Sequence, residues 1–341
     1  MGMAKKALIF GISGQTGSYL GHLLLAKGYE VVGTSRNAGN NNFANLRRLG
    51  IRDRIELLDL SLLDGEGVAR TLTEVRPDET YNLAGQSSVS QSFVAPVESF
   101  ESIALGTLNV LEALRRYEGG TRYFNATSSD CFGSTSEPAN EATPFRPRSP
   151  YAMAKAASFW AVASYRDSYG IHVCNGILSN HESPLRPTHF LTQKIVRAAL
   201  RIASGDQTKL LLGNIDVERD WGWAPDFADA IWRVLQRETP SDFVIATGKT
   251  TAAREFVDVV FSELGLSWRD HIDIDPRLFR PSEIPRVVLN PHKSLRDLSW
   301  SASLKMPELA LAMLRSEQAH VLGPVPWIDG QIADMDFLYA R

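Results

Sequence analysis

The sequence predicts an α/β protein, a doubly wound parallel sheet carrying a smaller α/β lobe. Three observations lead there. Short β-rich runs alternate with helical stretches through the first half of the 341 residues. A glycine-rich turn separates the first run from the first helical stretch. After about residue 180 prolines cluster and the apolar runs become isolated, as expected of a second lobe laid over one end of the sheet.

The runs are Ala7–Phe10, Glu30–Thr34, Ile55–Leu58, Glu79–Leu83 and Arg122–Thr127, with His172–Ser179 as a sixth. Tyr19–Lys27, Ser99–Tyr117 and Tyr151–Tyr169 lie between them and space their apolar residues as helices do. Strands joined through helices are parallel, because a parallel pair needs a long crossover. Pro184, Pro187 and Pro225, then Pro276, Pro281 and Pro285, mark the second lobe. The chain is expected back in the main lobe around Asp226–Ala246. Residues 1–179 with about 226–250 then form one lobe, and 180–225 with about 251–330 the other.

A hydrophobic content of 44% with 22% charge is that of a folded globular chain. The net charge of −3 gives no basic excess for a nucleic-acid backbone, so no nucleic-acid partner is expected. No run approaches the roughly 20 apolar residues that span a bilayer. The lysines ahead of Ala7–Phe10 precede an apolar run too short for a signal-peptide core. Two cysteines, Cys131 and Cys174, are too few for a disulfide framework. The chain reads as cytoplasmic, with no membrane association and no metal.

Gly11-Ile12-Ser13-Gly14-Gln15-Thr16-Gly17 follows the first run and opens the first helical stretch. Glycines there permit a tight turn and close backbone approach, and the helix N-terminus offers N–H groups to a pyrophosphate. This is a dinucleotide-binding turn of Rossmann type. NAD sites usually end the second strand with a carboxylate, whereas a 2′-phosphate is better met by an arginine. Here the strand ends in Arg36 with no acid, which points to NADP. Asp59 and Leu60, after the third run, are placed to reach the adenine, although Asp59 also suits a turn. Leu83, which closes the fourth, and Ala84 just after it complete the cofactor wall.

Tyr151 and Lys155 are four residues apart, so on a helix they share one face. An ammonium beside a phenol lowers its pKa and makes a base for a sugar hydroxyl. Thr127-Ser128-Ser129-Asp130 closes the preceding run with hydroxyls and a carboxylate at the mouth of the sheet. With the glycine turn, these are the features of a short-chain dehydrogenase/reductase.

Six stretches carry a closer resemblance: Gly11–Leu20, Tyr81–Gln86, Pro147–Lys155, Asn175–Pro184, Leu212–Gly222 and Asp275–Glu283. From residue 7 to about 300 the chain resembles the GDP-mannose 4,6-dehydratase family, extended members of that superfamily. The resemblance implies NADP-dependent oxidation at C4 of a GDP-sugar, loss of water across C5 and C6, and return of hydride to C6. It makes Tyr151 the base at the C4 hydroxyl, Lys155 its electrostatic partner and Asp130 the base at C5. Ser128 stands where threonine is usual and Asp130 where glutamate is usual. Ser88, Ser179 and Pro285 are further departures around the expected sugar. The shorter Asp130 keeps a 4-epimerase or 4-reductase open as the alternative outcome.

By the same resemblance Asn180, Lys194, Arg219, Arg280 and Glu283 hold the nucleotide, and Ser87 and Ser129 border the sugar. The arginines suit phosphate, and Glu283 suits the guanine edge or the ribose. Trp221 and Trp223 read as packing residues, and His181 as a strand cap or a sugar contact. Wide apolar faces on Glu98–Arg116 and Tyr151–Tyr169 imply, in this family, a homodimer or homotetramer.

Overall fold

The computed structural model describes residues 4–322; the expected lobe end at 323–330 lies outside the described residues. Seven parallel strands form the main sheet: β1 (Lys6–Phe10), β2 (Glu30–Ser35), β3 (Glu56–Asp59), β4 (Glu79–Asn82), β5 (Arg122–Ser128), β6 (Val173–Leu178) and β10 (Phe243–Ile245). Their spatial order is β10-β6-β5-β4-β1-β2-β3. β1 is buried on both faces, with Ala7, Leu8, Ile9 and Phe10 all at 0% exposure. That is why it reads as a continuous apolar run instead of an alternating one.

Helices cover both sheet faces. On one side, Leu20 and Leu24 of helix Gln15–Ala26 meet Ile231 and Val234 of helix Ala224–Leu235. On the other, helices Gly65–Val75, Gly106–Arg116 and Pro150–Tyr169 bring Leu72, Leu111 and Val162 onto Leu8 and Phe10. The expected helix over Ser99–Tyr117 is composite. An α segment Pro96–Phe100 passes through a π-helical turn, Glu101–Leu105, into Gly106–Arg116. Periodicity alone does not reveal the extra residue of a π turn.

Helix Pro150–Tyr169 is delimited by its own chemistry. Ser149 Oγ accepts from Ala152 N at 3.1 Å, Pro150 occupies the first turn, and Gly170 ends the helix with φ +64°. The N-terminal cap fixes the helix start, with Tyr151 in the first turn and Lys155 one turn further on.

Beyond β6 the chain builds two small sheets. β7 (Asn180–Glu182), β9 (Glu218–Trp223) and β11 (Thr250–Ala252) form one in the order β11-β9-β7; β8 (Leu210–Leu212) and β12 (Ile272–Ile274) form the other. Helices Leu191–Ala203, Ala253–Glu263 and Glu308–Leu322 enclose a separate core that includes Ile195, Ala199, Val257, Val260, Leu309 and Met313. Trp221 and Trp223 are buried in that core, as the sequence suggests. Among the described residues no helix is long and apolar enough to cross a membrane.

Candidate active site

Parallel strands place their C-terminal ends along one edge, and there a cavity of about 490 Å³ opens between the sheet and the smaller lobe. The glycine turn forms one end. Gly11 has φ +83°, and a Cβ on it would lie 2.8 Å from Ala84 N. A Cβ on Gly17 would lie 2.4 Å from the Gly11 carbonyl. Both positions therefore require glycine. Gly14 caps helix Gln15–Ala26 without a side-chain hydrogen bond, leaving N–H groups at the helix start for an anion.

The neighbouring polar side chains serve the turn itself. Gln15 Nε2 donates to His181 O at 2.7 Å, and Gln15 Oε1 accepts from Ser183 Oγ at 2.7 Å. Thr16 Oγ1 lies 2.8 Å from His181 Nε2, and His181 Nδ1 lies 3.0 Å from Ser179 O. A carbonyl only accepts, so Nδ1 carries the proton and the Thr16 hydroxyl donates to Nε2. Burial and then Arg186 bring His181 down to about 4, so the ring is neutral near pH 7. The ring also stacks on Phe227 at 4.7 Å. His181 thus fastens β7 to the cofactor turn.

At the middle of the cavity β5 delivers Ser128 and Asp130, both buried; Ser128 Oγ accepts from Asp130 N at 3.2 Å. Tyr151 and Lys155 face them from the helix. Lys155 Nζ donates to Ala126 O at 2.6 Å and lies 6.0 Å from the Tyr151 ring centroid. Burial pulls Lys155 down to about 8. Tyr151 is held well above the ordinary phenol value, first by burial and then by Asp130, with Ser128 and Arg186 acting the other way. The lowering expected from Lys155 is outweighed by burial and Asp130, and the ammonium donates to the Ala126 carbonyl.

At the far end stand Asn180, Lys194, Arg219, Arg280 and Glu283. Arg219 is buried, and burial lowers its pKa. Its Nη2 donates to Glu283 Oε1 at 3.3 Å, while Arg280 Nη1 donates to the same oxygen at 3.4 Å. Lys194 Nζ donates to Leu211 O at 2.7 Å.

The family described as "GDP-mannose 4,6 dehydratase" matches residues 8–313. The chain belongs to the GDP-mannose 4,6-dehydratase family. GDP-mannose 4,6 dehydratase 1 of Arabidopsis thaliana is 42% identical over 96% of this chain and 95% of its own length. The GDP-mannose 4,6-dehydratase of Vibrio cholerae is 39% identical over 94% and 96% respectively. Among solved structures, a UDP-glucose 4-epimerase of Thermus thermophilus, in complex with NAD, superposes with a TM-score of 0.80. It is 27% identical, over 94% of this chain and all of that one.

Within this family member, most expected site residues meet in the one cavity: Gly11, Gly14, Gln15, Thr16, Gly17, Leu83, Ser87, Ser128, Asp130, Tyr151 and Lys155, besides the five at the far end. Others stand outside its wall. Arg36 and Asp59 are exposed where β2 and β3 end, with Ser35 beside Asp59. The Ser13 carbonyl accepts from Asn45 Nδ2 at 3.1 Å. Ala84 N donates to Asn82 Oδ1 at 3.2 Å. Ser129 is buried, and Leu60 packs with Val68 and Leu72 in the core.

Arg186 lies in the wall and escaped the sequence reading. Its Nε is 3.2 Å from Glu182 Oε2, its guanidinium covers the Phe190 ring at 3.9 Å, and its charge acts on both Tyr151 and His181. The available signal was a basic residue between two prolines, directly after the Asn175–Pro184 stretch. The departures have local roles as well. Ser88 caps helix Val89–Val94 through Gln91 N, Ser179 Oγ donates to Asp220 Oδ1 at 2.9 Å, and Pro285 O accepts from Glu218 N at 2.8 Å.

Proposed function

We propose that this chain carries out the 4,6-dehydration of GDP-mannose or a close analogue with NADP as the redox partner. The supporting observation is that Ser128, Asp130 and Tyr151 share one cavity with the glycine turn and with Arg219 and Arg280. Glycines whose Cβ atoms would collide, and a helix start without a side-chain cap, suit a dinucleotide pyrophosphate. Gly11, Gly14 and Gly17 would hold it, with Leu83, Ala84, Asp59 and Leu60 along its length. Arg36 supports NADP over NAD, because β2 is followed by an exposed cation and not by a carboxylate of its own, which favours a 2′-phosphate. Equal affinity for the two cofactors would contradict that preference.

The dinucleotide supplies the hydride acceptor and donor. The residues supply the proton traffic. Tyr151 takes the C4 hydroxyl proton in its phenolate form and becomes the phenol, and the raised phenol value means that its own proton must first be given up to solvent. Lys155 and Arg186 provide the positive field around it, and Ser128 orients the C4 oxygen. Asp130 removes the C5 proton once C4 is a ketone and passes it to the C6 hydroxyl, which leaves as water. Ser87 and Ser129 border the sugar, Arg219, Arg280 and Lys194 bind the diphosphate, and Asn180 and Glu283 the nucleoside.

We assign residues 1–179 with about 226–250 to the cofactor lobe and 180–225 with about 251–322 to the substrate lobe. A homodimer or tetramer fits the exposed apolar side chains Val97, Leu105, Leu108, Met153 and Trp160, which sit on helices that pack side by side. The direct test incubates the protein with NADP and GDP-mannose and weighs the product. Loss of one water is the expected result, and a product of unchanged mass refutes the reading.

A further inference from the structure

Two arginines and one carboxylate meet at the nucleotide end of the cavity, and their arrangement bears on how the substrate enters. A single oxygen, Glu283 Oε1, accepts from Arg219 Nη2 at 3.3 Å and from Arg280 Nη1 at 3.4 Å. The Arg219 side chain is 6% exposed and that of Glu283 22%. Arg219's other hydrogen bonds go to backbone carbonyls, Glu218 O at 2.9 Å and Pro285 O at 3.5 Å.

A guanidinium taken out of water needs an anion, and removing that anion from a buried pair is costly. Arg219 and Arg280 also repel each other: the Arg280 charge lowers the Arg219 pKa while Asp130 and Glu283 raise it. An anion lying between the two guanidinium groups answers both demands. A diphosphate does so, and so does a carboxylate in the position of Glu283. Both would use the same N–H donors.

We propose that Glu283 is an internal counter-anion that the substrate's diphosphate displaces, so that this residue sets how tightly nucleotides are held. The proposal rests on the nucleotide-sugar reading of the cavity. Arg219 keeps a negative partner throughout the exchange, and the ligand gains only the difference between two sets of ion pairs. Binding is therefore weaker than two free arginines would give, and departure of the product is correspondingly faster. Glu283 acts here against the ligand's charge, which is separate from any contact it makes with the nucleoside.

Isothermal titration calorimetry of the full chain with inorganic pyrophosphate and with GDP tests this. Glu283→Gln keeps the shape and removes the charge. Pyrophosphate is expected to bind it about tenfold more tightly than wild type, the equivalent of losing one competing charge-assisted hydrogen bond. An unchanged or weaker pyrophosphate affinity in a folded Glu283→Gln protein overturns the proposal. Should that variant fail to fold, Glu283→Asp carries the test. The shorter acid does not span both arginines, so tighter pyrophosphate binding is again expected, and unchanged or weaker binding overturns the idea. GDP separates the two levels of the account. Wild type that binds no GDP overturns the nucleotide reading and this proposal together. Wild type that binds GDP, beside variants without tighter pyrophosphate binding, overturns this proposal alone.

Discussion

In the proposed reaction Asp130 carries the step that separates dehydration from simple redox at C4. It is buried beside Ser128 and opposite Tyr151, within the field of Arg219. Asp130→Asn removes the base and keeps the volume. Turnover is expected to fall by at least about 100-fold, with the GDP-mannose dissociation constant little changed. Deuterium exchange at C5 in heavy water checks it, and exchange at the wild-type rate would assign the base elsewhere. His181 gives a second test at this scale. Burial and Arg186 hold its folded pKa near 4, below the ordinary 6.5. The unfolded chain then binds more protons between those values, so stability is lost as pH falls from about 6.5 towards 4. The melting temperature of wild type should drop across that window relative to His181→Asn; parallel curves would show that the ring's protonation does not matter. Asp130, Tyr151 and Lys155 were legible as single letters in a motif. The turn of Lys155 toward Ala126 O, and the field of Arg186 on Tyr151, were not. Such facts depend on where a side chain comes to rest across the fold.

The cofactor turn is the element on which the proposed redox step depends. Gly17 shows why its glycines cannot be exchanged: its Cβ would lie 2.4 Å from the Gly11 carbonyl and 2.8 Å from Ile12 Cα. Gly17→Ala must push the first helical turn away from β1. NADPH affinity, followed by fluorescence titration, is expected to fall at least about tenfold. Affinity equal to wild type would show that the turn does not hold the pyrophosphate. Elements with a strong local signal were readable in advance. β1 is a solid apolar run, and helix Pro150–Tyr169 has a serine cap, a proline start and a glycine stop. The π turn at Glu101–Leu105 and the three-residue strands β7 and β11 were less visible. Three-residue strands are too short for an alternating pattern, and their pairing is set by partners tens of residues away. The same distance hid the bonds from Gln15 to His181 and Ser183, which tie the cofactor turn to β7.

At the scale of the molecule, one cavity joins the two ends of the chemistry. The dinucleotide turn comes from the start of the chain and the arginine pair from β9 and the segment after β12. This is where sequence reading succeeded through motifs and fell short on geometry. The late motif residues Arg219, Arg280 and Glu283 were legible, but their convergence on one carboxylate oxygen was not. The apolar side chains on the outer helices belong to this scale as well. Val97, at 68% exposure, and Trp160, at 61%, are large apolar groups left in water by a single copy. Val97→Glu with Trp160→Glu should convert the proposed dimer or tetramer to monomers in analytical ultracentrifugation, and a sedimentation coefficient equal to that of wild type would contradict an interface on this face. The proposed reaction is a closed redox cycle with water lost in between. GDP-mannose deuterated at C4 tests it most directly, by mass spectrometry and NMR of the product. A product one water lighter with the deuterium at C6 is expected. Deuterium retained at C4, or released to NADPH in solution, would contradict it.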